Sequence, residues 1–152
     1  MIKILFVCHG NICRSPMAEF VMKDMVEKQG IAEDFYIASA ATSTEEIGNG
    51  VHYGTRKKLA EFGISTDGKR AVQLKKSDYD KYDYIIGMDS WNMRNMKRML
   101  PEDKDNKLHL LLDFSANPRD IADPWYTGDF DTTYDDILEG CTALMNKILK
   151  ER

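Results

Sequence analysis

Residues 8–16 have the sequence Cys-His-Gly-Asn-Ile-Cys-Arg-Ser-Pro, and they separate an apolar run at residues 2–7 from a segment with helical periodicity. The apolar run predicts a buried strand. Ser15 and Pro16 are residue types typical of an N-cap and a first helical position, so we expect a helix to begin there. A loop that connects the carboxyl end of a strand to a helix N-terminus presents several backbone N–H groups to one point. The stretch therefore predicts a site for an anion.

Two reactive side chains, Cys8 and Arg14, flank this predicted anion site with five residues between them. A helix N-terminus and a guanidinium both favour the thiolate form of a cysteine, which is the nucleophilic form. Arg14 can donate two parallel N–H groups to two oxygens of a phosphoryl group, and Ser15 can donate its hydroxyl to the Cys8 sulfur. The residues by themselves therefore indicate transfer of a phosphoryl group to sulfur.

The composition fits one globular domain over residues 1–152. A chain of 152 residues with 43% hydrophobic and 30% charged residues can bury a substantial core. Its net charge of −4 gives no electrostatic reason to expect nucleic acid or a membrane as a partner. The first apolar run is too short for a signal peptide or a membrane span, and three cysteines do not form a secreted disulfide framework. We therefore expect a cytoplasmic protein.

Strand and helix patterns alternate along the chain, which is typical of an α/β fold with a parallel sheet. The predicted strands lie at residues 2–7, 35–38, 82–87 and 108–112. The predicted helices cover about residues 15–29, 52–62, 90–100 and 134–149. Four strands with intervening helices predict a small doubly wound sheet with helices on both faces. Such sheets bind ligands beyond the carboxyl ends of their strands, where the loop after the first strand lies.

This loop resembles the signature of the low-molecular-weight protein tyrosine phosphatase family, Cys-x5-Arg-Ser with an internal Asn and a second Cys. Six residues match the signature: Cys8, Asn11, Cys13, Arg14, Ser15 and Pro16. The flanking strand and helix patterns make the match more specific than a bare Cys-x5-Arg spacing. The resemblance covers essentially the whole chain. It implies a single phosphatase domain, strand order 2-1-3-4, and hydrolysis of phosphotyrosine through a phosphocysteine intermediate without a cofactor or metal.

Hydrolysis of a phosphotyrosine ester requires a general acid that protonates the departing phenolate, and Asp123 is the candidate. Pro124 restricts the turn after Asp123, and two aromatic residues follow, Trp125 and Tyr126. This run resembles the Asp-Pro-aromatic-aromatic loop of the same family, which implies that Asp123 is the acid. Cys8, Arg14 and Asp123 thus form the predicted catalytic set.

The resemblance also implies roles for residues around the catalytic set. Asn11 is expected to hold the loop through Ser39, with Ser15 as a further support. The predicted substrate pocket consists of His9, Gly10, Asn11, Ile12, Cys13, Ser15, Glu45, Trp125 and Tyr126. Asp89 matches a recurring family position, but a helix cap is a sufficient role for it. The expected ligands are a phosphotyrosine-containing protein or a small aryl phosphate, and inorganic phosphate.

Three residues depart from the family pattern. Lys69 occupies the position of a His that often supports the internal Asn in relatives, and Val72 occupies the position of an Arg. Glu45 stands where relatives often have an aromatic residue at the pocket mouth. Substrate selectivity could therefore differ from the family pattern at Glu45.

Acidic residues follow the predicted acid loop: Asp129, Asp131, Asp135 and Asp136. One hypothesis is that they add to Glu45 to form an acidic rim that favours basic peptides. The other is that they form a solvated loop and helix start, where the helix dipole favours acids.

Cys13 lies five residues after Cys8 in a tightly curled loop, close enough in sequence for a disulfide. One interpretation is that Cys13 traps an oxidised Cys8 before irreversible over-oxidation. The other is that Cys13 is a small residue that fills the loop. Cys141 lies on the apolar stripe of the last predicted helix and is expected in the core. The three histidines are scattered and show no metal-ligand spacing.

Three alternative functions are weighed against the phosphotyrosine phosphatase. A thiol-dependent arsenate reductase would need further cysteines after the third strand, but none lies between Cys13 and Cys141. A phosphoarginine phosphatase would have a Thr before the second Cys, where this chain has Ile12, an apolar residue suited to a phenyl ring. A noncatalytic anion-binding or redox-sensing module would not need Asp123.

Overall fold

Alternating apolar runs fold into one four-stranded parallel sheet with the order β2-β1-β3-β4. The computed structural model describes all 152 residues. The strands are β1 (Ile2–Cys8), β2 (Phe35–Ala41), β3 (Tyr84–Gly87) and β4 (Leu108–Leu110). The predicted α/β class and strand order are confirmed.

Helices connect the strands and lie on both faces of the sheet. They are α1 (Arg14–Lys28), α2 (Tyr53–Ala60), α3 (Asp78–Lys81), α4 (Ser90–Met99), α5 (Pro124–Thr127) and α6 (Phe130–Glu151). Two short 3₁₀ helices cover Ala32–Asp34 and Leu111–Phe114. None of the helices combines the length and the apolar character that crossing a lipid bilayer requires.

The central strand β1 divides the core into two layers, because successive side chains of a strand point to opposite faces. Ile4 and Phe6 belong to the larger apolar cluster, which includes buried side chains of α1 and α6. Leu5 and Val7 belong to the smaller cluster, together with Met96 of α4. Burial on both faces explains why β1 is continuously apolar from Ile4 to Val7.

Helix α6 packs closely against the chain segment that follows β4. A Cβ atom on Gly140 would lie 2.4 Å from the Cγ atom of the buried Leu111, so no larger residue fits there without displacement. Since α6 also packs against α1, this close approach helps to fix the helix that begins at the anion loop.

Several predicted boundaries were wrong. Helix α1 begins at Arg14, its N-cap position is Cys13, and no side chain caps it. The predicted cap, Ser15, lies inside the helix because its hydroxyl is engaged by Cys8 and Asn11. Strand β4 is two residues shorter than predicted and continues as a 3₁₀ helix, and α6 begins at Phe130 because Asp129 caps it there.

The order of the strands determines where the loops meet. Strand β1 pairs in parallel with β2 on one side and β3 on the other, so the strand order reverses at β1. The loop after β1 therefore lies at the crevice where doubly wound sheets bind ligands.

Candidate active site

The loop between β1 and α1 curls around the sulfur of Cys8. Asn11 adopts the left-handed conformation with φ of 59° and turns the loop inward. The backbone N–H groups of Asn11 and Ser15 donate to Cys8 Sγ at 3.3 and 3.4 Å. The Ser15 hydroxyl oxygen lies 3.0 Å from the same sulfur. Several donors thus converge on one buried sulfur, an arrangement that stabilises negative charge there.

The side chain of Asn11 holds this loop in place from behind. Its Nδ2 donates to the hydroxyl oxygens of Ser15 and Ser39, both at 2.8 Å. Its Oδ1 accepts from the backbone N–H of Val72 at 3.1 Å. Because Ser15 Oγ accepts from Asn11, the hydroxyl proton of Ser15 is free to point at Cys8. The predicted contact between Asn11 and Ser39 is therefore present, and both of its residues are buried.

Two charged residues complete the support behind Ser39. The hydroxyl of Ser39 donates to Glu19 Oε1 at 2.6 Å, and Lys69 Nζ donates to the backbone carbonyl of Ser39 at 2.8 Å. Lys69 Nζ and Glu19 Oε1 are 3.7 Å apart. Burial lowers the pKa of Lys69 from its ordinary value, and the charge of Glu19 opposes this effect. Lys69 thus supports the loop through Ser39, while Glu19 was not found by sequence reasoning.

Val72, the second departure from the family pattern, contributes through its backbone. Its N–H group binds Asn11, whereas its side chain is half exposed. The backbone contact does not depend on the identity of the side chain, so the position of Asn11 is maintained without an arginine.

Arg14 lies beside the sulfur, only 2% exposed, and three acceptors orient it. Its Nη1 donates to Asp89 Oδ2 at 2.6 Å and to the carbonyl of Ile121 at 2.9 Å, and its Nη2 donates to Asp123 Oδ2 at 3.3 Å. Burial by itself would lower the pKa of Arg14, but the charge at Cys8 and the hydrogen bond with Asp89 raise it above its ordinary value. The guanidinium is therefore a fixed positive charge. Its Nε–H and one N–H of Nη2 donate to no protein atom.

Asp89 has a second role that the sequence did not reveal. Its Oδ1 accepts from the backbone N–H of Asn92 and caps α4, as predicted. Its Oδ2 binds Arg14. One carboxylate thus joins the start of α4 to the guanidinium beside the sulfur.

Asp123 lies at the edge of the pocket with its side chain 24% exposed. Its Oδ1 accepts from the backbone N–H of Trp125 at 3.0 Å and caps α5. Its Oδ2 faces Arg14. The cap and the fixed φ of Pro124 hold the carboxyl group in one orientation near the mouth of the pocket.

The cavity above Cys8 has a volume of about 120 Å³. Most of the predicted pocket residues line it, namely His9, Gly10, Ile12, Cys13, Glu45, Trp125 and Tyr126, as does Glu46, which was not predicted. Asn11 and Ser15 do not line the cavity, because the Asn11 side chain points into the network behind the loop and the Ser15 hydroxyl lies between Asn11 and Cys8. Their backbone N–H groups and the Ser15 hydroxyl contact the sulfur at the base of the cavity.

At the mouth of the cavity, the carboxylate of Glu45 forms a hydrogen bond with the ring of His9. The distance between Glu45 Oε2 and His9 Nε2 is 2.7 Å, and both side chains are largely exposed.

The acidic residues that follow the acid loop do not line this cavity. Asp131 pairs with Lys58 at 2.8 Å, Asp136 pairs with Arg119 at 2.8 Å, and Asp129 caps α6. Asp135 does not line it either, so the hypothesis that these four residues join Glu45 in an acidic rim around the cavity is wrong.

Cys13 is 5% exposed and lines the same cavity as Cys8. Burial, together with the charge at Cys8, raises the pKa of Cys13 to about 12. Cys13 is therefore a protonated thiol at neutral pH. Cys141 is fully buried within the core, as predicted.

His52 connects the two walls of the cavity, a role that sequence reasoning missed. Its backbone N–H donates to the carbonyl of Ile12 at 2.8 Å. Its ring packs edge-on against Trp125, with centroids 5.5 Å apart, and stacks on Phe130 at 5.4 Å. No local pattern marks such a contact, because Ile12, His52 and Trp125 are distant in sequence.

The geometry around Cys8 suits one kind of reaction. Converging N–H groups and the free N–H groups of a buried guanidinium fit a trigonal or tetrahedral oxyanion bound directly over a nucleophilic sulfur. A carboxyl group at the mouth can exchange a proton with the departing group. The fold and the site together define a cysteine-dependent phosphatase.

Comparison with known proteins identifies the family. The sequence matches the family described as "Low molecular weight phosphotyrosine protein phosphatase" over residues 3–152. It is 40% identical to the low molecular weight protein-tyrosine-phosphatase YfkJ of Bacillus subtilis, over 100% of this chain and 99% of that protein. The crystal structure of YfkJ superposes with a TM-score of 0.95, at 41% identity over 100% of this chain and 97% of that one.

Two further solved structures share the fold. A protein tyrosine phosphatase of Entamoeba histolytica, with Hepes in the active site, has a TM-score of 0.92 at 30% identity over 99% of both chains. DARP, a drosophila arginine phosphatase, has a TM-score of 0.89 at 28% identity, over 97% of this chain and 98% of that one. The chain belongs to the low-molecular-weight protein-tyrosine-phosphatase family, whose members use a cysteine-based mechanism.

The dual role of Asp89 leads to a testable prediction. Asp89→Asn keeps an oxygen that can cap α4 but removes the negative charge paired with Arg14. We expect the variant to fold with near-normal thermal stability and to lose about 10- to 100-fold in kcat/KM, the cost typical of a misplaced catalytic group. Steady-state kinetics and thermal unfolding measure the two effects.

The control is Ser90→Ala, at the residue that follows Asp89. This substitution removes an exposed hydrogen bond between Ser90 and Asp120. It should leave kcat/KM within about twofold, as is usual for exposed substitutions far from special features. Unchanged kcat/KM in Asp89→Asn would show that Arg14 does not need this partner.

Proposed function

We propose that this phosphatase hydrolyses phosphotyrosine in proteins, or small aryl phosphates, by transfer of the phosphoryl group to Cys8. The main support is the convergence of the Asn11 and Ser15 N–H groups and the Ser15 hydroxyl on Cys8 Sγ at the base of the cavity. In the first step the thiolate attacks phosphorus in line, the S–P bond forms and the P–O bond to the phenol breaks. The loop N–H groups stabilise the equatorial oxygens.

Arg14 holds the phosphoryl group during this transfer. Nε and Nη2 lie on one edge of the planar guanidinium, and such an edge can bind two phosphoryl oxygens at once. Asp89 and the Ile121 carbonyl occupy Nη1 and fix the plane of the guanidinium. The arginine is thus oriented before substrate arrives.

Asp123 transfers the protons. In the first step it donates a proton to the departing phenolate oxygen. In the second step the resulting carboxylate accepts a proton from water, which attacks phosphorus and breaks the S–P bond. Inorganic phosphate leaves, and the thiolate of Cys8 is restored with Ser15 Oγ as a hydrogen-bond donor to the sulfur.

The walls of the cavity favour an aryl ester. Ile12, Trp125 and Tyr126 present apolar surface above the sulfur, and a phenyl ring that passes between them brings its phosphorus to Cys8. A phosphoserine side chain is too short to reach the sulfur while using those walls. Since an arginine phosphatase has the same fold, initial rates on phosphotyrosine, phosphoserine and phosphoarginine peptides decide the substrate class. We expect phosphotyrosine to be preferred.

The separate roles of the nucleophile and the anion site lead to a second prediction. Cys8→Ser should abolish turnover and still bind phosphate or a phosphotyrosine peptide, because the N–H groups and Arg14 remain. Arg14→Ala should lose both turnover and binding. Calorimetric titration with the peptide and rate measurements provide the test; appreciable hydrolysis by Cys8→Ser would exclude the thiolate mechanism.

The role of Asp123 gives a third prediction. Asp123→Asn should slow esters of poorly acidic phenols by about 10²- to 10⁴-fold, the usual contribution of a general acid. Esters whose phenolate departs without a proton should be affected much less in the first step. Single-turnover rates across a series of aryl phosphates measure the difference. Equal losses across the series would assign Asp123 another role.

We also propose that Cys13 protects Cys8 from irreversible oxidation. Peroxide converts the Cys8 thiolate to a sulfenic acid, and the neighbouring Cys13 thiol then attacks that sulfur. A disulfide forms and water is released. The protonated state of Cys13 implies that the attack requires transfer of its proton as the S–S bond forms.

The fourth prediction tests this protection. Mild peroxide should inactivate the wild-type protein reversibly, with activity restored by a thiol reductant, and peptide mapping should detect a Cys8–Cys13 disulfide. Cys13→Ser should lose activity irreversibly under the same treatment. The control is Cys141→Ala, since Cys141 is fully buried away from the cavity. Recovery that is as complete in Cys13→Ser as in wild type would show that Cys13 only fills the loop.

A further inference from the structure

A second depression opens from the catalytic cavity on the side of α4, with a volume of about 510 Å³. We call it the α4 groove. Its four α4-side residues are Asp89, Trp91, Asn92 and Asn95. It shares its other lining residues with the catalytic cavity, namely His9, Arg14, Asp123 and Tyr126. A molecule that fills the catalytic cavity therefore passes directly beside the α4 groove.

Two large aromatic side chains form the exposed walls of the α4 groove. Trp91 is 67% exposed and Tyr126 is 83% exposed. The guanidinium of Arg94 lies 4.8 Å from the centre of the Trp91 ring, and no other aromatic ring packs against Trp91. Aromatic surfaces of this size are more often buried, and their exposure at the edge of a binding cavity indicates a surface for a ligand.

The polar groups at the base of the α4 groove are mostly paired within the protein. Asp89 uses one oxygen for Asn92 and the other for Arg14. Asp123 uses its two oxygens for Trp125 and Arg14. The carboxylates therefore offer little to a basic side chain.

Among the uncharged side chains at the base, Asn92 has an unused hydrogen-bond donor. Asn92 is 2% exposed, and its Oδ1 accepts from the backbone N–H of Met88 at 3.0 Å. Its side-chain nitrogen donates to no protein atom. Because Asn92 lines the α4 groove, this free donor is available to a ligand there.

We propose that the α4 groove is a subsite for the residue next to phosphotyrosine in a polypeptide substrate, with a preference for an aromatic side chain. The side chain would pack between Trp91 and Tyr126, and the Asn92 amide would donate to a carbonyl of the peptide. Neighbouring Cα atoms are about 3.8 Å apart, so a residue adjacent to the bound tyrosine lies at the mouth of the cavity where the groove opens. This proposal rests on the proposed function.

Trp91→Ala tests the proposal with three substrates. They are free phosphotyrosine, a peptide with Phe on both sides of phosphotyrosine, and the same peptide with Ala on both sides. For the wild type we expect kcat/KM to be about 3- to 10-fold higher with the Phe peptide than with the Ala peptide, the advantage typical of an aromatic pair. In Trp91→Ala this advantage should disappear through an increase in KM, with free phosphotyrosine unaffected. Trp91→Phe should retain most of it.

The matched control is Tyr53→Ala, which removes another exposed aromatic residue, 63% exposed, that does not line the α4 groove. It should leave the peptide preference unchanged. Equal losses by Trp91→Ala on all three substrates, or no preference in the wild type, would overturn the proposal while leaving the proposed function intact. Failure of the wild type to hydrolyse any of the three would contradict the proposed function and the subsite with it.

Discussion

The active site depends on the way one buried asparagine holds the loop around Cys8. Asn11 takes up a left-handed backbone conformation, which directs its own N–H group at the sulfur, and its side chain binds Ser15, Ser39 and Val72. All three side-chain contacts are made to groups on different parts of the chain. The strain of a non-glycine residue at positive φ is thus offset by a fully paired buried amide. Without this contact the N–H groups would not be held in convergence on Cys8.

Positive charge at Arg14 organises the rest of the site. The guanidinium binds Asp89 at the start of α4 and Asp123 at the start of α5. These residues are 75 and 109 positions from Arg14 in sequence. A buried cation is unfavourable unless partners surround it, so the loops that provide these partners are held against the anion loop. The charge that would bind the phosphoryl group therefore also positions the proposed proton donor.

The sequence predicted what local patterns determine and missed what only tertiary contacts determine. The apolar runs, the spacing of Cys8 and Arg14, and the Asp-Pro turn at Asp123 are local, and the parallel sheet and the catalytic cavity agree with them. The strand order was implied by the family resemblance and not by these patterns. Ser15 was misassigned as a helix cap because its hydroxyl is used across the loop, by Cys8 and Asn11. Glu19 and His52 have ordinary helical surroundings in sequence, and their roles arise from contacts with Ser39 and with Trp125. No periodicity or motif in the sequence indicates those contacts.

The central claim is that the phosphoryl group passes through the sulfur of Cys8, and trapping that intermediate tests it most directly. An aryl phosphate with an acidic phenol should transfer its phosphoryl group to the Asp123→Asn protein without a general acid, whereas the loss of the base slows hydrolysis of the intermediate. Rapid quenching followed by mass spectrometry of the peptide that contains Cys8 then detects the adduct. The mechanism predicts one phosphoryl group on Cys8, formed in step with a burst of phenol. A burst of phenol with Cys8 unmodified, or a phosphoryl group on another residue, would contradict it.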